Sequence, residues 1–270
     1  KLAKAIDERW EALEAEGRTA GEKRDGGDTR RERKRQAKAG MPAELAAALR
    51  AVLDGGRAVD IALFGRMAAD DPRWNVDAAA QVAHAISTHR VDREFDFYTA
   101  VDDLNPREET GAGMMGDLEF ASATYYRYAN LDLDQLLENL QGDQELAVRA
   151  ATGFLRAFVE TLPSGKQNAF AAHNLPKFVA LLVRPNAMPR NLAGAFELPV
   201  RPMGSKSIAG LSVEALVDHW KALDEAYGKV KDETVAILNL SDAELTYHEE
   251  TEVRTLEEGL QTIETEIRAM

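Results

Sequence analysis

Two periodicities alternate through the second half of the chain, and they constrain its fold more than any composition figure. ELAVRAATGFLRAFVETL (145–162), SVEALVDHWKALDEAYG (212–228) and TLEEGLQTIETEIRAM (255–270) place apolar residues at helical spacing. FVALLV (178–183) and TVAILNL (234–240) are short apolar runs of strand type. Helices and strands in this order predict an α+β protein, one antiparallel sheet with helices packed on one face. Asp132 or Asp134 is expected to cap the helix of DQLLENL, and Asp143 the helix that follows.

The front of the chain reads as helical. Leu2, Ile6, Trp10 and Leu13 lie at helical spacing over 1–16. Gly17 and GEKRDGGD break that pattern into a flexible charged loop, and Pro42 fits the first turn of a second helix ending at Gly55-Gly56. VDIALFGRM (59–67) reads as a strand, with Val59, Ile61 and Leu63 on one side by the two-residue alternation. DDPRWN (70–75) is a turn. The second half of AAQVAHAISTHRV (79–91) is expected as strand because Ile86, Thr88 and Val91 are β-branched. LEFASATYYRYANL (118–131) reads as one long aromatic strand.

At 270 residues the chain can bury a sizeable core, and it contains no Cys, so thiolate metal sites and disulfides are excluded and a reducing cytosol suits it. No apolar run approaches the roughly 20 residues of a membrane span. The opening KLAKAIDERW carries neither an initiator Met nor a signal-peptide pattern. The net charge of −13 argues against a simple nucleic-acid binder, but it is unevenly placed. Residues 18–38 hold nine Lys/Arg against four Asp/Glu, net +5, while the last thirty hold nine acids against Arg254 and Arg268, net −7. An acidic protein can keep a local anion-binding face in this way.

FDFYTAVDDL (95–104) sets three rings beside two carboxylates, so it admits two chemistries. A metal-dependent nuclease would use Asp96, Asp102, Asp103 and His89. Adjacent strand residues face opposite ways, however, and the convergence that a two-metal site needs is not visible. No HExxH or HxH pattern occurs among the five histidines, and His84 is read as a hydrogen-bonded strand residue. No cofactor motif is present. SGKQ (164–167) lacks the upstream glycine and trailing Ser/Thr of a phosphate loop, yet it presents an ammonium near exposed backbone. Met67, Met115, Phe97 and Tyr98 lie in exposed-looking positions, where apolar groups cap cores, meet other subunits, or stack on bases.

Six blocks in order, VDIALFGRM, AHAISTHRVD, FYTAVDDL, GAGMMGDLEF, YYRYANLDLDQLLENL and GKQNAFAA, resemble the backbone subunit of the type I-E CRISPR Cascade complex. The resemblance is strong over about 59–200. It implies an RNA-recognition-like antiparallel palm sheet, a helical fingers region and a protruding thumb hairpin. Fingers would cover 1–83, a palm strand 84–90, the thumb 91–121, and palm with C-terminal helices 122–270. It also implies a non-catalytic, cytoplasmic RNA-binding subunit that stacks head to tail on a guide RNA, beside other Cascade subunits. Such a protein meets target DNA through the guide, in keeping with RNA-guided recognition generally.

Carried onto this sequence, Phe97, Tyr98 and Thr99 match the thumb segment that lies against kinked nucleotides. Met115 and Met67 match apolar wedges, and Lys166 and Gln167 match a palm loop at the RNA backbone. The first palm strand, the Asn-Arg-Asp loop and the basic Ser-Ser-Gln…Lys-Arg segment of such proteins do not occur here. An N-terminal segment is therefore expected to be missing.

Overall fold

The computed structural model describes residues 58–69, 72–100, 114–248 and 251–270. The helices expected over 1–16 and 43–53, the charged loop at 17–40, and Asp102 and Asp103 lie outside the described residues. The chain divides into two units, Lys1–Ala80 with Leu131–Ala147, and Gln81–Asn130 with Val148–Met270.

In the first unit, VDIALF is a helix, α1 (Val59–Phe64), and not the strand its alternation predicts. The neighbours Ala62 and Leu63 are both buried, which a strand cannot arrange on one face and a helix can. Gly65 ends the helix at φ 73°, and a Cβ there would lie 2.7 Å from the Val76 carbonyl oxygen, so only glycine fits the turn. A 3-10 turn at Pro72–Trp74 follows, where a turn is expected. The second helix of the unit, α2 (Leu133–Asn139), starts at Asp132, whose carboxylate accepts from Gln135 N at 3.0 Å. Leu136 and Leu140 are fully buried, and Asn139 Nδ2 donates to the carbonyls of Ala62 (2.9 Å) and Asp77 (2.8 Å). The expected cap on the next helix, α3 (Gln144–Glu160), is present: Leu146 N donates to Asp143 Oδ1.

The strands form four two-stranded sheets among the described residues, where one continuous sheet is expected. β1 (Ala80–Val82) neighbours β6 (Ala129–Leu131), and β2 (Ile86–Ser87) pairs antiparallel with β5 (Tyr125–Tyr126). β3 (Glu94–Ala100) pairs antiparallel with β4 (Met114–Phe120), and β7 (Phe178–Val183) with β8 (Thr234–Asn239). The aromatic stretch 118–131 is thus broken into β4, β5 and β6. Its backbone changes partner along the way: Thr124 O accepts from Thr88 N, and Ala83 N donates to Tyr128 O.

The β7–β8 ladder carries the core of the second unit, and helices cover both of its faces rather than one. On one face Val179, Leu181, Val183 and Ala236 pack with Leu260 and Ile263 of α6 (Leu256–Ala269). On the other, Val235 and Ile237 pack with Val213, Val217 and Trp220 of α5 (Ile208–Tyr227). The register Leu181↔Ala236 puts both residues on the α6 side, as cross-strand partners must be. A near-continuous apolar strand reads this way because neither of its faces meets water. Between α3 and β7 lies a short helix, α4 (Gln167–Phe170).

Candidate nucleic-acid interface

β3 and β4 form a ribbon of seven paired positions, from Glu94↔Phe120 to Ala100↔Met114. Alternation places Phe95, Phe97 and Thr99 on one face and Asp96 and Tyr98 on the other. The neighbours Phe97 and Tyr98 therefore do not form one platform. Phe95 is 62% exposed and Phe97 65%, unusual for rings on an ordered strand, and Tyr98 is 38% exposed. Tyr98 lies over its partner Gly116, where an added Cβ would meet the phenol oxygen at 2.7 Å. Thr99 is paired with Met115 in the backbone register. Arg93 ties the base of the ribbon to Glu119 at 3.1 Å.

The SGKQ segment leads into α4. Lys166 has φ 56°, a left-handed conformation uncommon for a side chain of this kind. Its ammonium donates to the Glu119 carbonyl at 3.2 Å and lies 6.0 Å above the Phe170 ring. Phe170 in turn meets Phe120, with ring centroids 5.3 Å apart and tilted by 55°. Gln167 Nε2 donates to the carbonyls of Pro163 (2.9 Å) and Ala172 (3.4 Å), joining the two ends of the segment. Among the residues singled out from sequence, Lys166 therefore sits against the base of the ribbon that carries Phe97, Tyr98 and Thr99.

Met67, in the first unit, is 84% exposed. It follows α1 and not a strand. Arg66 before it pairs with Val76 and donates from Nε to the Trp74 carbonyl at 2.9 Å, which fixes the backbone that presents the methionine.

Of the four nuclease candidates, Asp102 and Asp103 lie outside the described residues. Asp96 lies on β3, and His89 has both ring nitrogens engaged. Nε2 accepts from Thr124 N at 3.1 Å, and Nδ1 lies 2.7 Å from Arg90 O, so the neutral ring donates there. His84, expected to be the hydrogen-bonded histidine, is exposed in the connection between β1 and β2. Among the described residues, the group with metal-ligand spacing is Asp224, Glu233 and His248. Its carboxylates already face cations: Arg190 binds Asp224, and Arg184 lies 2.7 Å from Glu233. Tyr247 also donates to Asp224 at 2.8 Å, and burial, then that carboxylate, pushes its phenol well up. A dication would have to displace two guanidinium groups. The residues fit a charge-balanced structural network.

Sequence reasoning missed Phe120, Phe170 and Glu119. One signal was available: Phe170 lies four residues beyond Lys166, the spacing at which helical side chains meet. The contact with β4 had no sequence signal.

The sequence matches the family described as CT1975-like protein over residues 1–264. No curated protein matches. Two solved structures are similar at 34% identity. A chain of a "CRISPR RNA-guided surveillance complex, pre-nicking" matches with a TM-score of 0.71, covering 83% of this chain and 58% of its own length. A chain of a "CRISPR RNA-guided surveillance complex" matches with a TM-score of 0.67, covering 82% of this chain and 83% of its own length. The chain thus spans less than two thirds of the first of these.

Proposed function

Because the chain belongs to the CT1975-like family and is a Cascade backbone-like protein, we propose that it is a non-catalytic subunit that binds guide RNA and stacks head to tail along it. In this reading it works in a type I-E complex in the cytoplasm, with other Cascade subunits, and meets target DNA only through the guide. Residues 1–83 form its fingers, 91–121 its thumb, and 84–90 with 122–270 its palm. Phe97, Tyr98, Thr99 and Met115 contact RNA from the thumb, Met67 from the fingers, and Lys166 and Gln167 from the palm.

The observation that carries the reading is the β3–β4 ribbon, whose exposed rings have a use if something flat rests on them. The local chemistry suits a strand held by shape and charge: exposed rings with an ammonium at the base of the ribbon. Assembly along the strand lets one module be repeated, so weak contacts per copy add up.

The test is co-purification and titration with the protein assembled in its complex. An absorbance ratio characteristic of nucleoprotein is expected. Binding of single-stranded RNA should be nearly blind to sequence and fall steeply with salt, with a slope of roughly −0.7 per phosphate contact. Lys166→Ala should remove about one contact from that slope. A nucleic-acid-free complex, or binding indifferent to salt, would overturn the reading.

A further inference from the structure

The ribbon's orientation rests on few contacts. Among the described residues β3 and β4 contact chiefly each other, and the Phe95 and Phe97 rings face solvent. Yet several contacts converge on the last two residues of β4. Glu119 receives Lys166 through its carbonyl and Arg93 through its carboxylate, and Phe120 receives the Phe170 ring. Two of these three partners come from residues 163–172, with the left-handed residues Lys166 (φ 56°) and Ala171 (φ 46°) at the ends of α4. Such conformations are costly for non-glycine residues and persist where surroundings hold them. Here Gln167 bridges Pro163 and Ala172, and Ala169 N and Phe170 N both donate to Lys166 O at 3.0 Å. The result is a stiff strap that presents one cation and one ring to the same end of one strand.

We propose that residues 163–172 form a strap that sets the direction in which the β3–β4 ribbon leaves the body, with Phe170 as the positioning residue and Lys166 as a latch shared between ribbon and bound nucleic acid. The positioning role stands on the contacts above. The sharing rests on the RNA-binding reading of the previous subsection. An ammonium has three donors, and a phosphate oxygen is a charged and therefore stronger acceptor than the Glu119 carbonyl. A strand reaching Lys166 competes for the group that holds the ribbon. Binding at the strap and ribbon direction are thereby linked.

The absence of native cysteine allows a direct measurement on the full chain. Spin labels at Asp96→Cys on β3 and Asp218→Cys on α5, both exposed and in the second unit, report ribbon direction as a distance distribution. One narrow distribution is expected in the parent. Phe170→Ala and Lys166→Met should each broaden or displace it, with thermal midpoints close to the parent, because Phe170 is 40% exposed and contributes little core. Phe170→Tyr, which keeps the ring, should restore the parental distribution. Unchanged distances in both Phe170→Ala and Lys166→Met would overturn the strap.

Titration with a single-stranded oligoribonucleotide supplies the second arm. Phe170→Ala should weaken binding roughly threefold to tenfold, the range for coupling through packed side chains, without altering the salt slope. RNA should shift the label distance in the parent and leave it unmoved in Lys166→Met. A parent that binds no RNA would sink the shared role of Lys166 together with the RNA reading, while the label distances still decide the strap.

Discussion

At the residue scale, the rings of the ribbon separate binding from folding. Phe97 is mostly exposed, so Phe97→Ala should change stability by no more than about 0.5 kcal/mol, as at ordinary surface sites. Stacking on a base contributes about 1–3 kcal/mol, so the same substitution should weaken RNA binding by roughly tenfold. Tyr98 differs because it covers Gly116 across the ribbon. Tyr98→Ala should cost about 0.2–1 kcal/mol of a cross-strand pair as well as affinity. Thermal melts beside RNA titrations check both, and a sharp fall in melting temperature for Phe97→Ala would place its ring in the core. Asp242 allows a pH test. It accepts from Ser207 N at 2.8 Å and Ser207 Oγ at 2.6 Å, and those bonds, side-chain first, hold its carboxyl below the usual value. A depressed folded-state pKa means stabilisation present above the unfolded value and lost as pH falls through the folded one. Asp242→Asn should therefore melt below the parent at pH 7, with the gap closing under acid; a constant gap would contradict the assignment.

At the element scale, the β7–β8 ladder is where the second unit is most vulnerable. Ile237 is fully buried among Val213, Val217, Trp220 and Val235. Ile237→Ala should cost about 2–5 kcal/mol by leaving a cavity between the ladder and α5, read as a lower denaturation midpoint. α5 begins at Ser207, whose hydroxyl accepts from Gly210 N at 3.0 Å, and α6 at Thr255, whose hydroxyl accepts from Glu258 N at 3.1 Å. Glu258 Oε2 also accepts from Arg254 N at 2.8 Å, so the residue before the cap is tied to the first turn of α6. Such signals are local, which is why the helix starts at Asp132 and Asp143 were legible from sequence. α1 was not legible. VDIALF satisfies both periodicities over six residues, and burial of Ala62 beside Leu63 decides for helix.

At the scale of the whole molecule, the proposed role is to hold a strand and not to cut it. Incubation of single-stranded RNA and DNA with Mg²⁺ or Mn²⁺ should leave both intact. Asp102→Ala with Asp103→Ala should change nothing in that assay; cleavage that disappears in this double variant would revive the nuclease reading. The charge distribution bears on the same point. A chain at −13 binds a polyanion only through local cationic faces, so its salt slope should count the few phosphate contacts those faces make.

The sequence by itself determined the elements whose causes are local or strongly periodic. These are the amphipathic helices α3, α5 and α6, the buried strands β7 and β8, two of the caps, and the family, carried by six ordered blocks. Tertiary structure decided what depends on residues far apart in the chain. It broke 118–131 into three strands by changing the backbone's partners, and it covered β7–β8 on both faces. It engaged both nitrogens of His89 and brought Lys166 to the carbonyl of Glu119, 47 residues away. Periodicity reports which side of an element avoids water, because burial acts on each residue in turn. Which partner ends that exposure is set by the packing of the folded chain, and no local pattern encodes it.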